Sequence, residues 1–395
     1  MSNTRNDRNR RHAARLGLAA TMALAASAGC SKQQTAAPAA AGLSEPAQAA
    51  GATGPQPLGS ATAGRGAASQ LTDAEIRRAV TGAYEDARGT NEGKNADHIP
   101  ALARVDPKLF AVAAALPNGQ VVEVGDTTRK FSIQSVADVF VLARLIEDIG
   151  AKAVDEKIGV TASAVPFNSI MAIELNKDKH PAVNPLVDAG AIATVGLIPA
   201  KSPEERWQRI ISTLGAFAGR ELAVDDEVYR SESATNARTR AIAWLLSTYK
   251  VIPDDPMSAL DLYRRECSVS VTARDLAVMG ATLAYGGVNP VTHVPVVSAA
   301  TAAHVLAVMS TAGLYENSGE WAYRVGVPAK SGAGGGIIAV APGRLALGTF
   351  APPLDEAGNS VRGQRAIESV VRDTGVNMFL AAPAPTSVAV VTWGG

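Results

Sequence analysis

Phe131-Ser132-Ile133-Gln134-Ser135-Val136-Ala137-Asp138-Val139-Phe140 is the stretch on which the fold turns. From Ser135 to Ile149, apolar residues recur at Val136, Val139, Phe140, Ala143 and Ile146, the spacing of a helix with one buried face. Ser135 therefore stands at a helix start, and Asp138, three residues on, shares its face. Upstream, Lys108–Leu116 is rich in Phe, Val and Ala, then Pro117-Asn118-Gly119 breaks the run before Gln120–Val124, which predicts a β-hairpin. Downstream, about 150–315 reads as largely helical, including Arg238–Tyr249 and Ala273–Tyr285. Strand patterns return at Gly336–Val340 and Leu345–Phe350 around the turn Pro342-Gly343, and Ser360–Thr374 predicts a closing helix. Thr72-Asp73-Ala74-Glu75 has the capping residue and later acid of a first helix start. The order hairpin, helical insert, hairpin, helix lets strands from both ends of the chain join one antiparallel sheet. The expectation is an α/β (α+β) fold with flanking helices and a helical subdomain at about 150–315. A cleft between the two is the natural place for a site.

Composition excludes several classes. The chain has 395 residues, 47% hydrophobic and 19% charged, enough apolar material for a packed core and too little charge for global disorder. Lys and Arg number 37 against 37 Asp and Glu, so no basic surplus marks a nucleic-acid binder. The five histidines (His12, His98, His180, His293, His304) show no metal-ligand spacing, and no cofactor or metal is expected. No Gly-x-Ser-x-Gly elbow is present.

Residues 1–30 read as a targeting segment: Arg5, Arg8, Arg10, Arg11 and Arg15, then an apolar run from Leu16 to Ala26 closing on Ser27-Ala28-Gly29-Cys30. Small residues before Cys30 resemble a bacterial lipobox, with Ser27 where such boxes carry a larger aliphatic residue. The expectation is an exported protein, lipid-anchored through Cys30 or periplasmic, with no other membrane contact. Loss of residues 1–29 removes five Arg and one Asp, leaving a mature chain of about −4. Residues 31–70 are nearly all small or polar and read as a tether. The globular part then runs over 71–382, with 383–395 as a tail. Its one cysteine, Cys267, reads as a small core residue.

Lys330-Ser331-Gly332-Ala333-Gly334-Gly335-Gly336 is the most unusual local segment. Glycines let backbone N–H groups approach a ligand closely. The run precedes a strand pattern, so it is not a Walker loop. Lys-Ser-Gly before a strand and a serine at a helix start together resemble the penicillin-recognising serine enzymes.

Within that group the chain resembles the serine-dependent glutaminases, relatives of class A β-lactamases in fold. The resemblance runs from about Ile99 to Phe379. It is carried by Phe131–Ser135, Pro166-Phe167-Asn168-Ser169, Ala189-Gly190-Ala191-Ile192, Ser318-Gly319-Glu320-Trp321, Pro328–Gly332 and Pro353–Ser360. It implies a β-lactamase-like fold, hydrolysis of glutamine to glutamate and ammonia through an acyl-Ser135 intermediate, a small-molecule substrate, and a homodimer or homotetramer. The catalytic set it implies is Ser135, Asp138, Lys330 and Tyr263. The substrate-binding set is Ser135, Asp188, Glu232, Thr239, Tyr263, Tyr315 and Ala333, with the N–H groups of Ser135 and Ala333 holding the oxyanion. Three positions depart from the family: Asp138 stands where Lys is usual, and Asp188 and Thr239 where Asn is usual. A carboxylate is a poorer base than a neutral amine and adds negative charge where negative charge develops. Asp138 is expected to pair with Lys330 and hold it protonated. Two other readings stay open: an amino-acid-binding protein with impaired turnover, and acyl transfer on another amide.

Overall fold

The structure is a computed structural model and describes residues 71–380. The targeting segment, Cys30, the tether and the tail from 381 lie outside the described residues.

Among the described residues seven strands form: β1 Ala111–Ala115, β2 Val121–Gly125, β3 Phe131–Ser132, β4 Ser270–Val271, β5 Ala329–Ser331, β6 Gly336–Ala341 and β7 Leu345–Phe350. Five make one antiparallel sheet in the order β2-β1-β7-β6-β5, so strands from both ends of the chain do meet, at β1 and β7. The predicted β1 is three residues too long at its start, because 107 and 108 lie in a turn and Leu109 and Phe110 have no ladder partner.

Every residue of β1, β6 and β7 is buried, which is why these strands read as continuous apolar runs. Side chains alternate across the sheet. Val112, Ala114, Ile337, Ala339 and Leu347 pack against the helices Asp73–Arg88 and Val361–Thr374. Ala113, Ile338, Val340 and Ala346 face the opposite layer, with the helix Ala273–Ala284. The Thr72–Glu75 capping box forms as read, and a second, Thr272–Asp275, starts that inner helix.

What positions the site is the short ribbon of β3 and β4. Phe131 pairs with Val271 and Ser132 with Ser270, and the Ile133 N–H then donates to the Val269 carbonyl at 2.8 Å. The chain turns through a tight helical turn, Gln134–Val136, into the helix Ala137–Ile149. Nine of that helix's thirteen residues are buried. Ser135 is the one residue from 131 to 140 that is not.

Candidate active site

Gln134, immediately before Ser135, has φ +50°, and Tyr315 has φ +56°. Left-handed backbone at non-glycine residues costs of order 1–3 kcal/mol and persists where surrounding structure enforces it. Here both strained residues flank the same hydroxyl, since the Ser135 side chain stands beside the Tyr315 phenol. The glycine turn after β5 packs against this segment. A Cβ at Gly332 would lie 2.8 Å from the Ile133 carbonyl oxygen and 3.2 Å from the Ser135 nitrogen, and one at Gly334 would lie 2.3 Å from the Ser132 carbonyl oxygen. Only glycine allows that approach, and it carries Ala333 to the site of Ser135.

Behind the serine lies Lys330 on the edge strand β5, 0% exposed. Its ammonium donates to the Ser331 carbonyl at 2.6 Å and to the Tyr315 hydroxyl at 3.2 Å, and sits 4.4 Å from the centre of the Tyr315 ring. Asp138 Oδ2 is 3.9 Å from Lys330 Nζ, the outer limit of an ion pair, and neither Asp138 oxygen accepts a hydrogen bond among the described residues. The expected pair therefore forms, and the carboxylate pulls toward the charged lysine, but burial pulls harder the other way. Burial outweighs the carboxylate's pull and brings Lys330 down to about 8. Burial likewise pushes Asp138 well above the usual carboxylate range, with Lys330 opposing. Each partner shifts toward its neutral form, as desolvation dictates when the charged contact is long.

A cavity of about 200 Å³ opens in front of Ser135. It is smaller than the roughly 300 Å³ and upward of drug-sized sites, which suits a ligand of amino-acid size. Ser135, Asp188, Glu232, Thr239, Tyr263 and Ala333 all line it. Four different helices deliver four of these side chains. Asp188 opens the helix Asp188–Leu197, Glu232 lies on Asp226–Ala234, Thr239 on Ala237–Thr248 and Tyr263 on Pro256–Cys267. The Tyr263 hydroxyl donates to Asp188 Oδ1 at 3.4 Å. Thr239 turns its hydroxyl back onto the Asn236 carbonyl at 3.1 Å. Burial pushes Asp188 and Glu232 each up to about 7, against a hydrogen bond from Tyr263 in the first case and from Gln134 in the second. Glu232 Oε2 and Asn236 Nδ2 are buried with no partner among the described residues, an acceptor and a donor left for a ligand. Asp138 and Lys330 line no part of this cavity, and Tyr315 lines a second one beyond Ser135.

Several wall residues were not singled out from sequence. His98 lines both cavities, and burial lowers its pKa. Its signal was its place directly before Ile99-Pro100-Ala101-Leu102, where the resemblance begins. Arg238 brings the one guanidinium that the described residues supply to the first cavity, and donates to the Asn168 carbonyl at 3.1 Å. Glu266, one helical turn beyond Tyr263, lines neither cavity; it is 0% exposed with both oxygens unpartnered among the described residues, and burial raises its pKa well above the usual range. Among the described residues no group of His, Cys, Asp or Glu is arranged to hold a metal ion.

The family model for glutaminases matches residues 93–379. The chain belongs to the glutaminase family. A glutaminase of Mycobacterium ulcerans is 47% identical over 313 residues, covering 79% of this chain and 97% of the relative. One from Escherichia coli O81 is 48% identical over 305 residues, covering 77% and 98%. Among solved structures, the probable glutaminase ybaS superposes with a TM-score of 0.77 at 47% identity, over 79% of this chain and all of that one. A probable glutaminase of Bacillus subtilis gives 0.70 at 28% identity, over 78% and 97%. The mixed architecture of antiparallel sheet and many helices is thus that of the glutaminases, with their β-lactamase-like serine fold.

Proposed function

We propose that this chain hydrolyses the side-chain amide of L-glutamine to L-glutamate and ammonia, with Ser135 as nucleophile. The observation that carries the reading is the placement of Ser135, half-buried at the mouth of the cavity with the Tyr315 hydroxyl and the Lys330 amine in line behind it. Asp188 and Glu232 suit the α-ammonium of the substrate, and Arg238 its α-carboxylate. The backbone N–H groups of Ser135 and Ala333 would meet the oxyanion. Proton removal falls to Tyr315 backed by Lys330, since an amine brought down to about 8 has a neutral fraction at working pH. Asp138, pushed toward its neutral acid, is a spectator rather than the base. Ammonia release from glutamine by the purified protein tests this. The rate should climb with pH through about 8 and fall to background in Ser135→Ala. Unchanged turnover in that variant would remove Ser135 from the role.

One observation favours a second reading, an amino-acid-binding protein with impaired turnover: the carboxyl at 138 in place of the family's amine. The two readings share a pocket and differ in rate.

The sequence also supports export and a lipid anchor at Cys30, for which Cys30→Ser should move the protein from the membrane fraction to the soluble exported fraction. An unchanged distribution would discard the anchor. A homodimer or homotetramer is supported by the family resemblance and by the exposed apolar side chains Met171, Leu175 and Trp244. They sit on two helices joined by the hydrogen bond from the Tyr249 hydroxyl to Glu174 at 2.9 Å. Light scattering reads the assembly directly.

A further inference from the structure

Ser135 lies on the wall of two cavities, not one. Beyond the amino-acid pocket, a second space of about 160 Å³ begins at the same hydroxyl and shares His98, Phe167 and Ala333 with the first. In glutamine hydrolysis the group that leaves is ammonia and the group that arrives is water, one heavy atom each. A water needs only about 10–15 Å³ of such space. The second cavity is an order of magnitude larger than the reaction on the primary amide requires.

Its position relative to the proton path says what it faces. Tyr315, whose hydroxyl relays the serine proton to and from Lys330 in the proposed reaction, lines this second cavity and no part of the first. The leaving nitrogen therefore points into the second cavity when the amino-acid end occupies the first. Two aromatic rings and two aliphatic side chains make up much of its wall. The Phe167 and Tyr315 rings lie 4.9 Å apart at 35°, and Ala96 and Leu354 complete the surface. Gly358 keeps the space beside the rings open, because a Cβ there would stand 3.5 Å from Phe167 and 3.9 Å from Tyr315. The polar lining is His98, shared with the first cavity, together with Asn95, Asp355, exposed Glu356 and the Lys94–Asp97 pair at 3.1 Å.

We propose that this second cavity holds the nitrogen substituent of an N-alkyl or N-aryl γ-glutamyl amide, so that the enzyme cleaves secondary γ-amides as well as the primary one. The inference rests on the glutaminase reading and extends its substrate class. Ser135 Oγ attacks the γ-carbonyl carbon, and its proton passes through Tyr315 to the amide nitrogen. The C–N bond breaks and a primary amine leaves. Water then hydrolyses the Ser135 ester, giving glutamate and restoring the hydroxyl.

The test compares glutamine, γ-glutamyl ethylamide and γ-glutamyl anilide on the full-length protein, reading glutamate release as kcat/KM. Two variants that touch only the second cavity accompany the wild type: Ala96→Phe, which fills it, and Glu356→Trp, on an exposed loop position that leaves the core alone. The ethylamide should be cleaved within ~10-fold of glutamine, and at least one folded variant should lose ~10-fold or more on the secondary amides while glutamine changes by less than ~3-fold. Cleavage of glutamine with neither secondary amide cleaved overturns the inference and leaves the glutaminase reading intact. No cleavage of any of the three overturns both. Secondary amides cleaved equally well by both variants, or a loss on glutamine as large as that on the ethylamide, overturns the assignment of the cavity.

Discussion

Asp138→Lys raises the rate of glutamine hydrolysis, by ~10²-fold or more, within the ~10²–10⁴ that a positioned general base supplies. The physical ground is the pairing seen at the site. The wild-type protein places a buried carboxyl one helical turn after Ser135, 3.9 Å from the Lys330 amine. That carboxyl is held toward its neutral acid by burial, so it neither takes the serine proton nor balances the oxyanion. A lysine at 138 would put a second amine beside Lys330. Two buried ammonium groups at that distance cannot both stay charged, so one is neutral near pH 7 and free to act as base. Asp138→Ala removes the carboxyl without supplying an amine, and should leave the rate near that of the wild type. Steady-state ammonia release for the three proteins decides it. Rapid wild-type turnover matched by both variants would show that position 138 does not govern Ser135.

Asp188→Asn stabilises the protein far more at pH 8 than at pH 4.5. Asp188 is pushed by burial from an ordinary 3.8 to about 7. A carboxyl with a raised folded value holds an extra proton in the folded state between the unfolded and folded values. Its contribution is therefore intact below about pH 4 and is lost progressively from there until pH reaches about 7. Three units at ~1.4 kcal/mol each put that loss at up to about 4 kcal/mol. The amide cannot ionise and escapes it, while its oxygen still accepts from the Tyr263 hydroxyl. Lys330 has the opposite sign: brought down to about 8, it costs stability below that pH and is relieved as pH rises toward 10.5. The two windows barely overlap, so the carboxyl effect is readable alone. Urea midpoints of wild type and variant at pH 4.5 and 8 make the comparison, and equal differences at the two pH values would refute it.

The sequence carried the fold a long way because the elements near the sheet obey local rules. The hairpins around Pro117-Asn118-Gly119 and Pro342-Gly343 mark their own turns, and Thr72 and Glu75 announce a helix start that forms as read. Ser135 was legible because a serine at the head of an amphipathic helix and Lys-Ser-Gly ahead of a strand are both local signals. So were the three departures at Asp138, Asp188 and Thr239, which are visible as residue types against a strong family pattern. The β3–β4 ribbon was not legible, since two residues give no periodicity and their partners lie far away in sequence. His98, Arg238 and Glu266 escaped notice for the same reason. Each is an ordinary polar residue on its own segment and acquires meaning only from what folds beside it.

By itself, then, the sequence determined the element order, a serine at the head of the helix that follows β3, and an acid where the family pattern carries an amine. It could not decide which of Asp138 and Lys330 yields its charge. Composition puts a carboxyl and an amine in one chain, and pairing rules alone predict that both ionise. The tertiary structure buries both, sets them at 3.9 Å and gives the amine a phenol and a carbonyl instead. At that distance and depth the loss of hydration exceeds the attraction, and the protonation of the site follows from burial, a property of the packed fold.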